Sequence, residues 1–262
     1  MSIRVLFLGD VIGSPGRRFL RDRLEDLKTE KGIDLVIVNG ENASGGIGLT
    51  PKTAEELFSY GVDIITSGNH IWKYREIKNY LKNSDSVIRP ANYPPGAPGK
   101  GYTLKPVKGY RVAVVNLQGR VFMDPVVDCP FRKADEILRE IEEEGGADAI
   151  VVDFHAEATS EKKALAYYLD GRITALVGTH THIQTADAQI LPGGTAYITD
   201  LGMVGPEDSV IGMKKEVIIS KFLHGIPTRF EVATGKVVAE GVILDIIIGS
   251  RVSIERLRMY HE

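Results

Sequence analysis

Cysteine is almost missing from this 262-residue chain, with Cys129 as its single representative. That excludes an intrachain disulfide framework and suits a reducing compartment. Cys129 precedes Pro130 with nothing nearby that resembles a Cys–His pair, so no chemistry is assigned to it. Long apolar runs are missing too. No uninterrupted stretch reaches the roughly 18 residues that a membrane-spanning helix requires. The apolar run in Met1–Leu8 is too short for a signal peptide and lacks a cleavage pattern. A cytoplasmic protein with no membrane partner is therefore the expectation. Excess positive charge is absent as well. A formal net charge of -3 argues against a strong nucleic-acid-binding surface. Small phosphorylated substrates stay compatible with it. The chain shows no internal repeat and no linker.

What is present is an ordinary globular composition, 43% apolar and 26% charged, arranged as apolar runs alternating with helical patterns. Ile3–Leu8, Leu35–Val38 and Val62–Thr66 read as buried strands. Pro15–Lys31, with Phe19, Leu20, Leu24 and Leu27 on one face, reads as a helix. So do Pro51–Tyr60, capped by Thr50 with Pro51 at its first position, and Tyr74–Leu81. The Pro- and Gly-rich stretch Ile88–Gly101 reads as a surface loop. Tyr102–Lys105 and Tyr110–Asn116 are predicted strands, and Phe131–Glu144 a charged amphipathic helix ending at Gly145-Gly146. Ala149–Asp153, helix Glu161–Leu169 and Ile173–Val177 follow. Further on, the pattern predicts strands at Gln189–Leu191, Ala196–Thr199, Lys215–Phe222, Arg229–Glu231 and Lys236–Ile248. Residues 1–262 are read as one domain, because dividing the chain would split the polar segments described next.

Five polar segments each follow an apolar run: Gly9-Asp10, Gly40-Glu41-Asn42, Gly68-Asn69-His70, Phe154-His155 and Gly178-Thr179-His180-Thr181-His182. Open α/β sheets bind ligands at the carboxyl ends of their strands. Together the segments carry two carboxylates, two carboxamides and four imidazoles, a donor set suited to two metal ions. Two divalent cations held close together repel, so they require a negative bridging ligand, and Glu41 is placed to be it. Asp10 and His182 then fall to the first metal, and Asn69, His155 and His180 to the second. In an extended strand His180 and His182 would point to opposite sides, so a turn or bulge is expected there. Mixed imidazole and oxygen donors favour Mn, Fe, Co or Zn over Mg or Ca. With Asp10, Glu41 and a bridging hydroxide, one net positive charge would remain to attract a phosphodiester. His70, beside Asn69, is the candidate proton donor to the leaving oxygen.

The order of these segments resembles that of the calcineurin-like metallophosphoesterases. The strings Gly9-Asp10-Val11-Ile12-Gly13, Asn39–Gly46 and Ser67–Trp72 are similar to the YmdB-type subfamily. The resemblance covers essentially the whole chain. It implies an α/β fold, a four-layer α/β/β/α sandwich, and hydrolysis of small phosphodiesters, with 2′,3′-cyclic nucleotides as the associated substrates. Two departures from the wider superfamily stand out. Ile12 occupies the position of a metal-binding histidine, and Glu41 that of the bridging aspartate. The subfamily pattern instead places Asn42 on the first metal. The implied ligands are then Asp10, Glu41, Asn42 and His182 for one ion and Glu41, Asn69, His155 and His180 for the other, with His70 as general acid. The expected cofactors are two divalent or transition-metal ions, Fe or Mn ahead of Zn or Co. A homo-oligomer is a further expectation of the resemblance. A phosphomonoesterase or protein phosphatase using the same metals, and a nucleotide-sensing regulator without turnover, remain open alternatives.

Other polar features receive no role. Gly9–Gly16 lies between a strand and a helix, but its glycine spacing is not that of a dinucleotide site, and Asp10 would repel a pyrophosphate. Ser44-Gly45-Gly46 reads equally as a phosphate-approaching loop or a plain turn. Gly202–Gly205 is a candidate cleft lining to which no role is committed. Glu142–Glu144 is a solvated face, and His224 and His261 are read as surface histidines.

Overall fold

The computed structural model describes residues 2–262. Alternation along the strands sorts apolar side chains to two faces. In β1 (Ser2–Val11), Ile3, Val5 and Phe7 enter one core while Leu6 and Leu8 enter another. In β5 (Tyr110–Gln118), Val112 and Val114 share the core of Ile3 and Phe7, whereas Ala113, Val115 and Leu117 face away from it. Strands buried on both sides in this way need cover on both sides.

That cover produces four layers. The first sheet has the order β12 (Arg251–His261), β11 (Val237–Ile247), β10 (Met203–Pro206), β1, β2 (Leu35–Asn39), β3 (Ile64–Thr66). The second runs β4 (Tyr102–Val107), β5, β6 (Ala149–His155), β7 (Ala175–Thr179), β9 (Ala196–Ile198), β8 (Gln189–Ile190). A central core joins the sheets face to face. Helices α1 (Gly13–Lys31), α2 (Pro51–Ser59) and α3 (Ile77–Asn83) cover the outer face of the first sheet through Phe19, Leu24, Leu57 and Leu81. Helices α4 (Pro130–Glu143) and α5 (Thr159–Leu169) cover the second through Ile137, Ile141, Leu165 and Leu169. The result is the expected α/β/β/α sandwich.

Local signals explain the helix ends. Gly32, with φ of 62°, closes α1 in the left-handed conformation that glycine adopts without a Cβ penalty. The Thr50 hydroxyl accepts the N–H of Thr53 at 3.2 Å and caps α2. The parallel pairs β1–β2, β2–β3, β5–β6 and β6–β7 aim their carboxyl ends the same way within each sheet. Asn39 Nδ2 donates to Asp153 Oδ2 at 3.2 Å, and Ser67 N to Asn116 Oδ1 at 3.1 Å, stitching the two carboxyl edges together. The polar segments are thereby gathered on one seam.

The second half departs from expectation. Lys215–Phe222, expected as a strand, lies in helix α6 (Lys215–His224). Its Val217, Ile218 and Ile219 have strand-like propensity, but the segment has no sheet edge to join and buries only Ile218. Arg229–Glu231 forms no strand; an isolated bridge joins neighbouring Val232 to Met213. The expected helix Tyr74–Leu81 is α3, which starts later, at Ile77, and runs on to Asn83; a 3-10 turn at Ile71–Lys73 precedes it. Strands β10 and β12 were not anticipated. His261 is no free surface histidine: it ends β12 at 3.5 Å from Asp22 and stands edge-on to Phe19. Among the described residues, no helix is long and apolar enough to cross a membrane.

Candidate metal centre

Each predicted ligand emerges at or just beyond a strand end, on the seam between the sheets. Asp10, near the end of β1, is fully buried. Its Oδ1 lies 3.5 Å from His182 Nε2, and its Oδ2 accepts the backbone N–H of His180 at 3.1 Å. Burial pushes its carboxyl up, but the His182 imidazole outweighs that and holds it below the ordinary range. Glu41 follows β2 and is also fully buried. Its Oε1 sits 3.2 Å from both His70 Nδ1 and His155 Nε2, and its Oε2 accepts the N–H of His70 at 3.1 Å. Burial again opposes ionisation, and His155 and His70 again win, leaving Glu41 well below its usual value.

His155 ends β6, with Nε2 3.2 Å from Asn69 Oδ1 and 3.0 Å from His180 Nδ1. Ligand atoms of Glu41, His155 and His180 all fall within 4.8 Å of one another. Burial, reinforced by His155, lowers His180 to about 3, so it is held as a neutral lone-pair donor. Burial works against protonation of His182 as well, but Asp10 prevails and raises it to about 9. Two imidazole nitrogens 3.0 Å apart can share at most one proton, and the oxygens beside them are lone-pair donors. A buried convergence of this kind fits a cation. The donors are those of a borderline transition metal.

Glu41 lies between the two groups of candidate ligands: its Oε1 is 3.2 Å from Asn42 Nδ2 on one side and from His155 Nε2 on the other. Asn42 itself turns its nitrogen towards His182 Nε2, at 3.2 Å, and its oxygen towards His70 Nδ1, at 3.0 Å. Ligation through that oxygen requires the carboxamide to rotate. His70 is partly exposed, with Nδ1 engaged by Asn42 and Glu41 and Nε2 left free of them. The expected turn at the histidine pair is also present. His180 has φ of 101° and His182 φ of 63°, left-handed values that non-glycine residues adopt at a cost.

Three supporting contacts set the histidine tautomers. Thr179 Oγ1 donates to Asp153 Oδ1 at 2.7 Å, and so accepts from His155 Nδ1 at 2.9 Å. His182 Nδ1 donates to the Ile211 carbonyl at 2.9 Å. His180 Nε2 lies 3.2 Å from Glu157 Oε2. In each ring the other nitrogen faces the cluster, the usual arrangement behind metal-bound histidines, although that of His182 must first give up the proton that Asp10 favours. Sequence reasoning missed Asn39, Asp153, Thr179 and Glu157. A usable signal was present, since Asn39 and Asp153 are polar residues inside otherwise apolar strands. Burial pushes the Asp153 carboxyl up to about 6.

Of the undecided segments, Gly202–Gly205 does reach the site: the Gly202 carbonyl accepts the N–H of Asp10 at 3.1 Å. A Cβ on Gly9 would collide with that same carbonyl, which accounts for the first glycine of the string. Ser44 is committed elsewhere, its Oγ accepting the N–H of Thr50 at 3.0 Å at the start of α2.

Comparison with known proteins identifies the family. The family described as YmdB-like protein matches residues 6–257. A 2′,3′-cyclic-nucleotide 2′-phosphodiesterase of Bacillus subtilis (strain 168) is 51% identical over 244 residues, covering 93% of this chain and 91% of that protein. The crystal structure of a hypothetical protein from Thermus thermophilus superposes with a TM-score of 0.92 at 45% identity, covering 99% and 100% of the two chains. That of a novel phosphatase from Mycoplasma pneumoniae gives 0.92 at 36%, covering 99% and 94%. With nearly its whole length matched at such identities, the chain belongs to the YmdB-like protein family.

Proposed function

We propose that this chain is a metal-dependent phosphodiesterase that hydrolyses small phosphodiesters, foremost 2′,3′-cyclic nucleotides. The observation that carries the reading is the buried Glu41 carboxylate, lying within 3.2 Å of donors from both ligand groups. The B. subtilis relative is named for the same substrate class. Asp10, Glu41, Asn42 and His182 would hold one ion, and Glu41, Asn69, His155 and His180 the other. Fe or Mn fits this donor set best, with Zn or Co next. Two such ions lower the pKa of a water molecule and offset charge on the phosphate.

The chain's own residues supply the rest. Asp10 and Glu41 carry two negative charges, so a site with two divalent ions stays cationic towards a phosphodiester. His70 is oriented through Nδ1, so that Nε2 can give a proton to the departing oxygen as phosphorus is attacked in line from the opposite side. Lowering of His180 by burial keeps it neutral and available as a donor. Residues 1–262 act as one domain, since the site draws on segments from Asp10 to His182. A cytoplasmic homo-oligomer completes the proposal.

Purified protein should contain metal and hydrolyse 2′,3′-cyclic nucleotides faster than matched phosphomonoesters. Faster turnover of monoesters would reassign it as a phosphomonoesterase. Tight nucleotide binding without turnover by the metal-loaded protein would make it a sensor.

A further inference from the structure

Lys162 on α5 and Asp200 beyond β9 form an ion pair in which both side chains have no solvent exposure, with Nζ 2.7 Å from Oδ2. Removing two charges from water costs several kcal/mol per ion, and apolar residues often replace such pairs without loss of stability. Stability alone is therefore a weak account of this one. Its contacts give a better account. Lys162 Nζ also donates to the Thr179 carbonyl at 2.8 Å, immediately before His180. Asp200 Oδ2 accepts the N–H of Thr181 at 3.1 Å, immediately after it. The two peptide groups flanking His180 are thus gripped by one buried pair.

That grip falls on strained backbone. His180 and His182 both have positive φ, a conformation that costs non-glycine residues free energy the surroundings must offset. Released to an extended conformation, the two histidines would face opposite sides. Asp200 Oδ1 meanwhile accepts the N–H of Gly202 at 2.9 Å. The Gly202 carbonyl holds the N–H of Asp10, whose Oδ2 returns to the N–H of His180. The circuit closes through two candidate ligands from different sheets. Gly178 is confined between the strands here: a Cβ there would collide first with the Thr199 carbonyl, and would also crowd Lys162 Cδ, at 2.9 Å.

We propose that the Lys162–Asp200 pair is a positioning device that fixes the His180–His182 turn, and Asp10 with it, in the geometry that accepts two metals. The proposal rests on the two-metal reading. Its test uses the metal-free full chain titrated with Mn(II) alone. Lys162→Met combined with Asp200→Asn removes both charges and leaves none unpaired. This double variant should fold cooperatively by circular dichroism, yet bind at least one Mn(II) about 10–100-fold more weakly. The electron paramagnetic resonance signature of the coupled Mn(II) pair should be lost with it. Wild-type affinity and an intact coupled spectrum in the double variant would overturn the positioning role and leave the metal reading standing. Failure of the wild-type protein to take up two Mn(II) would overturn both. Should the double variant not fold, Lys162→Arg carries the same titration, because it leaves no buried charge unpaired while a planar guanidinium cannot reproduce the single ammonium's contacts to both Asp200 and the Thr179 carbonyl.

Discussion

Asp10 and His180 stand 170 residues apart, and the carboxylate of the first accepts the backbone N–H of the second at 3.1 Å. One belongs to the first sheet and the other follows a strand of the second, so the candidate ligands staple the two halves of the sandwich. Metal bound there is coupled to folding. At 100 times its dissociation constant, a ligand specific for the folded state adds about 2.7 kcal/mol. For a chain of this size that is roughly 5–10 °C in melting temperature. Calorimetry with Mn(II) and with chelator should show at least this difference in the wild type and a clearly smaller one in Asp10→Asn, where only the second ligand group stays complete. An equal metal shift in that variant would remove Asp10 from the ligand set.

Gly68 has a steric reason to be glycine. A Cβ there would press directly on the His155 imidazole and on Glu41 Oε2. Gly68→Ala must displace one of them, an overpacking that costs about 1–3 kcal/mol. The protein should still fold, with strongly weakened metal binding and little hydrolysis. Unchanged Mn(II) affinity in the folded variant would show that the centre tolerates more displacement than its packing implies.

His70 contacts Asn42 and Glu41 yet is partly exposed, as a proton donor to substrate must be. His70→Ala should retain metal while turnover of diesters with poor leaving groups falls by about 10²–10⁴. Esters of p-nitrophenol need little protonation and should lose far less. Equal losses across leaving groups would count against the acid role.

How legible was all this in the sequence? The first two strand–helix units were readable because short apolar runs ended in glycine or polar residues, and Thr50-Pro51 marked a helix start. The candidate ligands stood out because each follows such a run. Helix α6 was not, since a brief stretch with three β-branched residues and one buried side chain gives no decisive period. Strand β12 hid behind Arg251, Glu255, Arg256 and Arg258 on an edge, where charge blunts the apolar signal. The helpers were hidden for another reason. Thr179, Asp153 and Asn39 act by touching one another across 26 and 114 residues, respectively, from Asp153. No local pattern records such a meeting.

Asp187 predicts a pH dependence. Burial pushes its carboxyl up, but hydrogen bonds from Thr199 and Thr185 outweigh this and hold it below the ordinary range. A depressed carboxyl stabilises the fold above its unfolded pKa, about 3.9, and that contribution disappears as pH falls through the folded value. Asp187→Asn should therefore cost about 1 kcal/mol at pH 7, allowing for partial exposure. The difference from wild type should be flat above roughly pH 5 and shrink below pH 4. Urea denaturation of metal-free protein at several pH values measures it. A gap that widens in acid would reverse the assigned sign.

Thr179 offers the sharpest test of how the centre is prepared. Its hydroxyl links His155 Nδ1, at 2.9 Å, to Asp153 Oδ1, at 2.7 Å. The proton is thereby kept on Nδ1 and the lone pair of Nε2 directed at Asn69, Glu41 and His180. Thr179→Val keeps the shape and removes the link. His155 can then carry its proton on Nε2, where it blocks metal. The expected loss is about 10–100-fold in Mn(II) affinity, with about 1–3 kcal/mol of stability from the buried groups left unpaired. Thr179→Ser restores the hydroxyl without the methyl, and should recover most of the affinity. If serine and valine weaken binding alike, packing by the methyl matters and the tautomer relay does not.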